Sequence, residues 1–208
     1  MNKFLLLFLL CGSLGYSAVT PQQAMQRLMK GNERYVEDAL EHPRRDQERR
    51  ESTASKQTPF AAIVGCADSR VSPEIIFDQG VGDLFVVRVA GNVIGPLELD
   101  SIEYAVLYLG SVVVLVMGHE NCGAVDAVIH NNTKDIESVA ELIEPAVEQA
   151  KKSKTTNLLE SAIKTNALRM KDFVLKSPAV EKLVKAKKIE VHAAYYNIQT
   201  GAIELLKN

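Results

Sequence analysis

The 208-residue sequence contains no tryptophan, and phenylalanine and tyrosine bring its aromatic content to only 6%. That absence removes the indole platforms on which sugars and quaternary ammonium groups stack. Neither charge sign dominates: 24 Lys and Arg face 26 Asp and Glu, for a net charge of −2. No basic surplus is available to hold nucleic acid or acidic lipid, and neither is expected as a partner. Cysteine is rare, with three in the chain, and no internal repeat or low-complexity tract occurs. What remains is 47% hydrophobic and 24% charged residues, the balance of an ordinary globular domain. The length suits one well-filled domain.

The first eighteen residues differ from the rest. Lys3 gives a short basic start, Phe4 to Cys11 is an apolar run, and Gly12 to Ala18 is small and turn-prone. This order is that of a secretory leader, and the apolar run is too short to span a bilayer. Cleavage near Ala18 is the expectation, giving an exported chain, periplasmic or secreted, with no membrane span. Residues 19–56 then read as an N-terminal helical arm and linker, and 57–208 as a single domain.

Thr20-Pro21 is a helix start, and Met25, Leu28, Met29 and Tyr35 recur near helical spacing, predicting an amphipathic helix over 21–39. Residues 42–56 are charged and read as a solvated connection, with Arg44, Arg45, Arg49 and Arg50 on a solvated face. Apolar runs at 60–65, 84–89 and 112–117 read as buried strands. Helical patterns between them start at Ser72-Pro73 and over 97–109, the latter stopped by Gly110. Helices are predicted over 135–187, and a final hairpin pairs 189–195 with 202–206. The fold class is therefore α/β: a mainly parallel central sheet flanked by helices.

The chemistry lies where two of these runs end. Cys66-Ala67-Asp68-Ser69-Arg70 follows the first, and His119-Glu120-Asn121-Cys122 follows the third. In an open parallel sheet, ligands collect at the carboxyl ends of strands, so both segments are expected at one edge. Two cysteines and one histidine make the ligand set of a zinc site with its fourth position open, as in catalytic rather than structural sites. In an exported protein, Cys66 and Cys122 also raise a disulfide. The histidine three residues before Cys122 and the Asp-x-Arg after Cys66 favour the metal.

Cys66-x-Asp68-x-Arg70 with His119-x-x-Cys122 closely resembles the β-class carbonic anhydrases, most specifically from about Gln57 to Val128. The resemblance implies one zinc ion per chain on Cys66, His119 and Cys122, with water or hydroxide in the fourth position. It implies reversible hydration of CO2 to bicarbonate and a proton by attack of zinc-bound hydroxide. Asp68 would accept a hydrogen bond from that hydroxide, and Arg70 would hold Asp68. Gln57, Phe85 and Tyr104 match substrate-pocket residues of the plant-type, open-site subgroup, which lie near a dimer interface. A homodimer or higher oligomer, with the N-terminal arm packed on a neighbouring subunit, follows from the same resemblance. Val71, Arg88, Tyr104 and Gly65 echo a second subgroup that closes its site at low pH. Ile63 stands where that subgroup has tryptophan, and the open type is favoured.

Two other readings keep the same residues. One is another hydrolytic reaction on the same zinc, such as carbon disulfide hydrolysis. The other is a non-catalytic zinc or dithiol protein, which leaves Asp68 and Arg70 without a role.

Overall fold

The computed structural model describes residues 19–153 and 155–207. The leader expected at residues 1–18 lies outside the described residues.

Helix α1 (Pro21–Val36) begins with a reciprocal cap: Gln23 N–H donates to the Thr20 hydroxyl, and Thr20 N–H donates to the Gln23 side chain. A short α2 (Gln47–Thr53) follows. The core then alternates strand and helix: β1 (Ala61–Gly65), α3 (Pro73–Ile76), β2 (Leu84–Arg88), α4 (Pro96–Leu107), β3 (Val113–His119) and α5 (Gly123–Ile129). Helices α6 (Glu137–Lys152), α7 (Leu158–Leu175) and α8 (Pro178–Lys185) lead to β4 (Glu190–Tyr196) and β5 (Ile203–Leu206).

The sheet order is β2-β1-β3-β4-β5, with only β5 antiparallel. The near-continuous apolar sequence of β1 and β3 follows from burial on both faces. Ala62, Val64, Val114 and Val116 point to one face, packing with Ile102 and Val106 of α4, Val125 of α5, Ile143 of α6 and Ile163 of α7. Ala61, Ile63, Val113, Leu115 and Met117 point to the other, against Ala24 and Leu28 of α1 and Ile76 and Phe77 at α3.

Helices α4 to α8 all contribute to the first face, and within one chain α1 covers the second together with α3. Gly31 permits the approach: a Cβ there would collide with the Phe77 carbonyl. The buried Asn32 amide fastens the contact, donating to the carbonyls of Gly201 (2.8 Å) and Ile76 (3.3 Å) and accepting from Ile203 N–H (3.0 Å).

The segment 42–56 is also more ordered than its composition suggests. It carries α2, capped by Asp46, whose carboxylate accepts from Arg49 N–H at 2.8 Å. Three of its arginines, though Arg44 and Arg45 stay exposed, reach back to two buried carboxylates: Arg44 and Arg49 to Asp83, and Arg45 to Asp78 at 3.7 Å. Asp83 receives Arg44 (2.7 Å), Arg27 of α1 (2.9 Å) and Arg49 (3.3 Å). Asp78 receives Arg34 of α1 at 2.7 Å and the N–H groups of Glu41 and His42. Both acids lie over thirty positions downstream of the 42–56 arginines they hold, so local charge patterning gave no sign of the pairing.

Candidate metal centre

β1 and β3 are parallel neighbours with Val64 opposite Val116, so Cys66 comes level with Gly118, one residue before His119. The chain then turns through Asn121 at φ +52° and delivers Cys122 as the residue preceding α5. Cys66, His119 and Cys122 are all buried, and their ligand atoms lie within 4.8 Å of one another. Both cysteines are free thiols.

The imidazole of His119 is oriented for coordination. Its Nδ1 lies 2.9 Å from the Glu120 carbonyl, which can only accept, so Nδ1 carries the proton. Nε2 is left as a buried lone pair with no hydrogen-bond partner among the described residues. A buried nitrogen with nothing to bind is costly unless a metal takes it up. Two thiol sulfurs and this nitrogen suit zinc, whose bonds of about 2.0–2.3 Å bring such donors this close. The donor set and the orphaned nitrogen fit the metal that the sequence implies.

The sulfurs differ in surroundings. The Cys66 thiol is pulled below its ordinary pKa, first by the hydrogen bond from Cys122 and then by two backbone N–H groups, against the opposing effect of burial. Those N–H groups belong to Asp68 (3.4 Å) and Gly91 (3.2 Å). Cys122 is pushed up, as the proton-bearing partner of that pair and by burial.

Asp68 stands beside the cluster, its Oδ2 3.9 Å from His119 Nε2. Arg70 grips it with Nε on Oδ1 at 2.9 Å and a terminal nitrogen on Oδ2 at 2.7 Å, and Arg70 N–H adds a bond of 2.9 Å to Oδ1. The hydrogen bond from Arg70 holds the Asp68 carboxyl far below the usual carboxylate range, outweighing its partial desolvation. Asp68 is ionised and can only accept.

Arg88 completes the loop. It donates to the carbonyls of Cys66 (3.0 Å) and Asp68 (2.6 Å), fixing the turn that carries the first ligand. Sequence reading gave Arg88 only a resemblance to a pocket residue. Gly91, whose N–H donates to the Cys66 sulfur, and Asn166, whose side-chain amide donates to the Gly91 carbonyl, were not singled out at all. Their only sequence signal was Gly91-Asn92 after a strand, a common turn. Val71, named beside Arg88, is a core residue of the α1 face.

Gln57, Phe85 and Tyr104 are brought together, but not beside the ligands. Phe85 pairs with Ala62, four residues before the level of Cys66, or about 13 Å back along the strand. Its ring meets Tyr104 at 6.4 Å between centroids, and Tyr104 meets Tyr108 at 5.7 Å. Gln57 and Tyr104 line an open groove of about 420 Å³ with Thr53, Tyr108 and Leu109. Gln57 precedes β1, at the end of the strand opposite Cys66. Within one chain these residues form a surface of their own.

Comparison with known proteins agrees with the geometry. Residues 61–203 match the family model described as carbonic anhydrase. A carbonic anhydrase of Mycolicibacterium smegmatis is 34% identical over 191 residues, covering 89% of this chain and 93% of that protein. Carbonic anhydrase 2 of Mycobacterium tuberculosis is 51% identical over 109 residues, or 52% of this chain, and the match spans about half (53%) of that relative. The solved β-carbonic anhydrase CcaA superposes with a TM-score of 0.70 at 27% identity, covering 88% of this chain and 95% of that one. Strand order, ligand triad and sequence likeness converge, and the chain belongs to the β class of the carbonic anhydrase family.

Proposed function

We propose that the protein is a zinc enzyme that interconverts CO2 and water with bicarbonate and a proton. The observation that carries this reading is the buried, unpartnered Nε2 of His119 facing two cysteine sulfurs, with an ionised Asp68 beside it. Cys66, His119 and Cys122 would hold the zinc, which supplies Lewis acidity that makes water a nucleophile near neutral pH.

The chain's own residues do the rest. Asp68 accepts a hydrogen bond from the attacking oxygen, fixing its proton on one side and a lone pair towards the carbon. Arg70 keeps Asp68 charged and in place, so it never competes as a donor. Arg88 and the Gly91 N–H hold the Cys66 turn still, which keeps the geometry ready before substrate arrives. The Asp68–Arg70 pair leaves the carboxylate turned to the guanidinium rather than onto a ligand position, which supports the open-site subgroup.

The Gln57–Phe85–Tyr104 surface finds its use in a homodimer. Leu97 of α4 and Tyr108 just past its end are each 76% exposed, with Tyr104 and Leu107 also exposed, beside the edge of β2 that no described strand pairs. A second copy docked on this apolar face brings the three pocket residues towards the neighbouring metal centre, where one chain alone leaves it without them. The leader-like order of residues 1–18 supports action outside the cytoplasm, which N-terminal sequencing of exported protein tests.

The enzyme reading is tested by stopped-flow CO2 hydration together with metal analysis. Hydration with stoichiometric zinc supports it; a zinc-loaded protein without hydration overturns it.

A further inference from the structure

Gly91 is held from both sides. Its N–H donates to Cys66 Sγ at 3.2 Å, and its carbonyl accepts from Nδ2 of Asn166, on α7, at 2.8 Å. The residue sits at φ +66°, and a Cβ there would press on Ile143 Cδ1 at 2.6 Å. Glycine alone meets both demands, so this backbone is set by its surroundings and not by its own preference. Asn166 is fully buried, and its neighbours Ile163, Ala167 and Met170 are apolar. Its Oδ1 has no hydrogen-bond partner among the described residues. A leucine fills similar space without burying a half-satisfied amide, whose desolvation is unfavourable. What asparagine supplies that leucine cannot is the hydrogen bond that satisfies the buried Gly91 carbonyl and fixes the orientation of that peptide.

We propose that Asn166 is a positioning residue for the metal centre: it clamps Gly91 so that the Gly91 N–H points at the Cys66 sulfur. The proposal rests on reading Cys66, His119 and Cys122 as a metal site. Two thiolates offset the formal charge of a dipositive ion and weaken its Lewis acidity. An N–H bonded to one sulfur draws electron density from it and restores part of that acidity. Asn166, though it touches no ligand, thereby sets how strongly Cys66 donates. Outer-shell partners of this kind orient and tune the ligands they support.

The test uses the full protein, loaded with cobalt as a spectroscopic stand-in for zinc, and compares Asn166→Leu with Val174→Ala. Val174 is a buried core residue on the same helix without a bond to Gly91. Asn166→Leu is expected to move the sulfur-to-cobalt charge-transfer band to longer wavelength and to weaken zinc binding about 10- to 100-fold in chelator competition. Val174→Ala is expected to lower the melting temperature and leave both readings unchanged. Wild-type band position and zinc affinity in a folded Asn166→Leu overturn the proposal. Should Asn166→Leu not fold, wild-type protein loaded with ¹¹³Cd gives a second reading. A scalar coupling from cadmium to the Gly91 amide proton is expected across the sulfur, and its absence overturns the proposal. Wild-type protein that binds none of these metals overturns the metal reading itself, whereas an unmoved band in a loaded variant removes only the role of Asn166.

Discussion

Asp68 and Arg70 show how much one residue pair can decide. The carboxylate is gripped by three N–H bonds from Arg70 and lies 3.9 Å from the imidazole nitrogen offered for metal. An asparagine there keeps the shape but loses the charge and gains donors, so it orients the nucleophile wrongly. Asp68→Asn is expected to lower kcat/KM for CO2 hydration by about 100-fold or more, the usual scale for losing a positioned proton-handling group. Zinc content should not change, because Asp68 is not among the ligand atoms. Equal losses of zinc and rate would show instead that Asp68 holds the metal site together. Two thiolates also leave the metal less acidic than a tri-histidine site does, so the hydration rate should climb through mildly alkaline pH. A rate already level below neutrality contradicts this. The grouping of these residues was legible from Cys66-x-Asp68-x-Arg70 and His119-x-x-Cys122, because the candidate ligands and the dyad lie close together in sequence within each motif. Gly91 and Asn166 were not legible: 75 residues separate them, and neither belongs to a motif.

Among the elements, α1 and the segment after it hold most of what the sequence left hidden. The strands and most helices followed from apolar runs and periodicity, since each pattern is local. Where α1 docks was not local: it depends on which sheet face the later helices leave open. Gly31→Ala tests that docking, since the added methyl would meet the Phe77 carbonyl. A loss of about 2 to 4 kcal/mol is expected in denaturant unfolding, as for overpacking a tight contact that cannot relax. A neutral substitution would mean that α1 does not pack there. The buried acids give a pH signature. Burial pushes the Asp83 carboxyl up, but Arg44, the Gly80 N–H and the charge of Arg27 outweigh it, and the net pKa is below the ordinary value. Asp78 is lowered likewise, with Arg34 and two backbone N–H groups overcoming burial. A carboxyl with a lower pKa in the folded state stabilises the fold above its unfolded pKa of about 3.9. That contribution is lost as pH falls through the folded value, so acid unfolding should steepen below about pH 4. In Asp83→Asn this acid dependence should flatten, with about 2 to 3 kcal/mol lost at neutral pH, the lower range for halving a buried ion pair whose arginines are partly exposed. Melting temperature against pH for both proteins checks it.

At the scale of the whole molecule, the apolar face of α4 and the edge of β2 are unfinished in a single chain. Leu97 and Tyr108, each 76% exposed, are large apolar groups beside a strand edge with no pairing partner, a combination that marks an association surface. Analytical ultracentrifugation should find at least a dimer, and Tyr108→Glu should shift it towards monomer and lower the hydration rate with the metal retained. A fully active monomer contradicts this. The measurement closest to the central claim is stopped-flow CO2 hydration by the chain from Val19 onward, with zinc determined in the same sample and Cys66→Ser alongside. About one zinc per chain and rapid hydration are expected, with both lost in Cys66→Ser. Bound zinc without hydration, or hydration that survives Cys66→Ser, contradicts it.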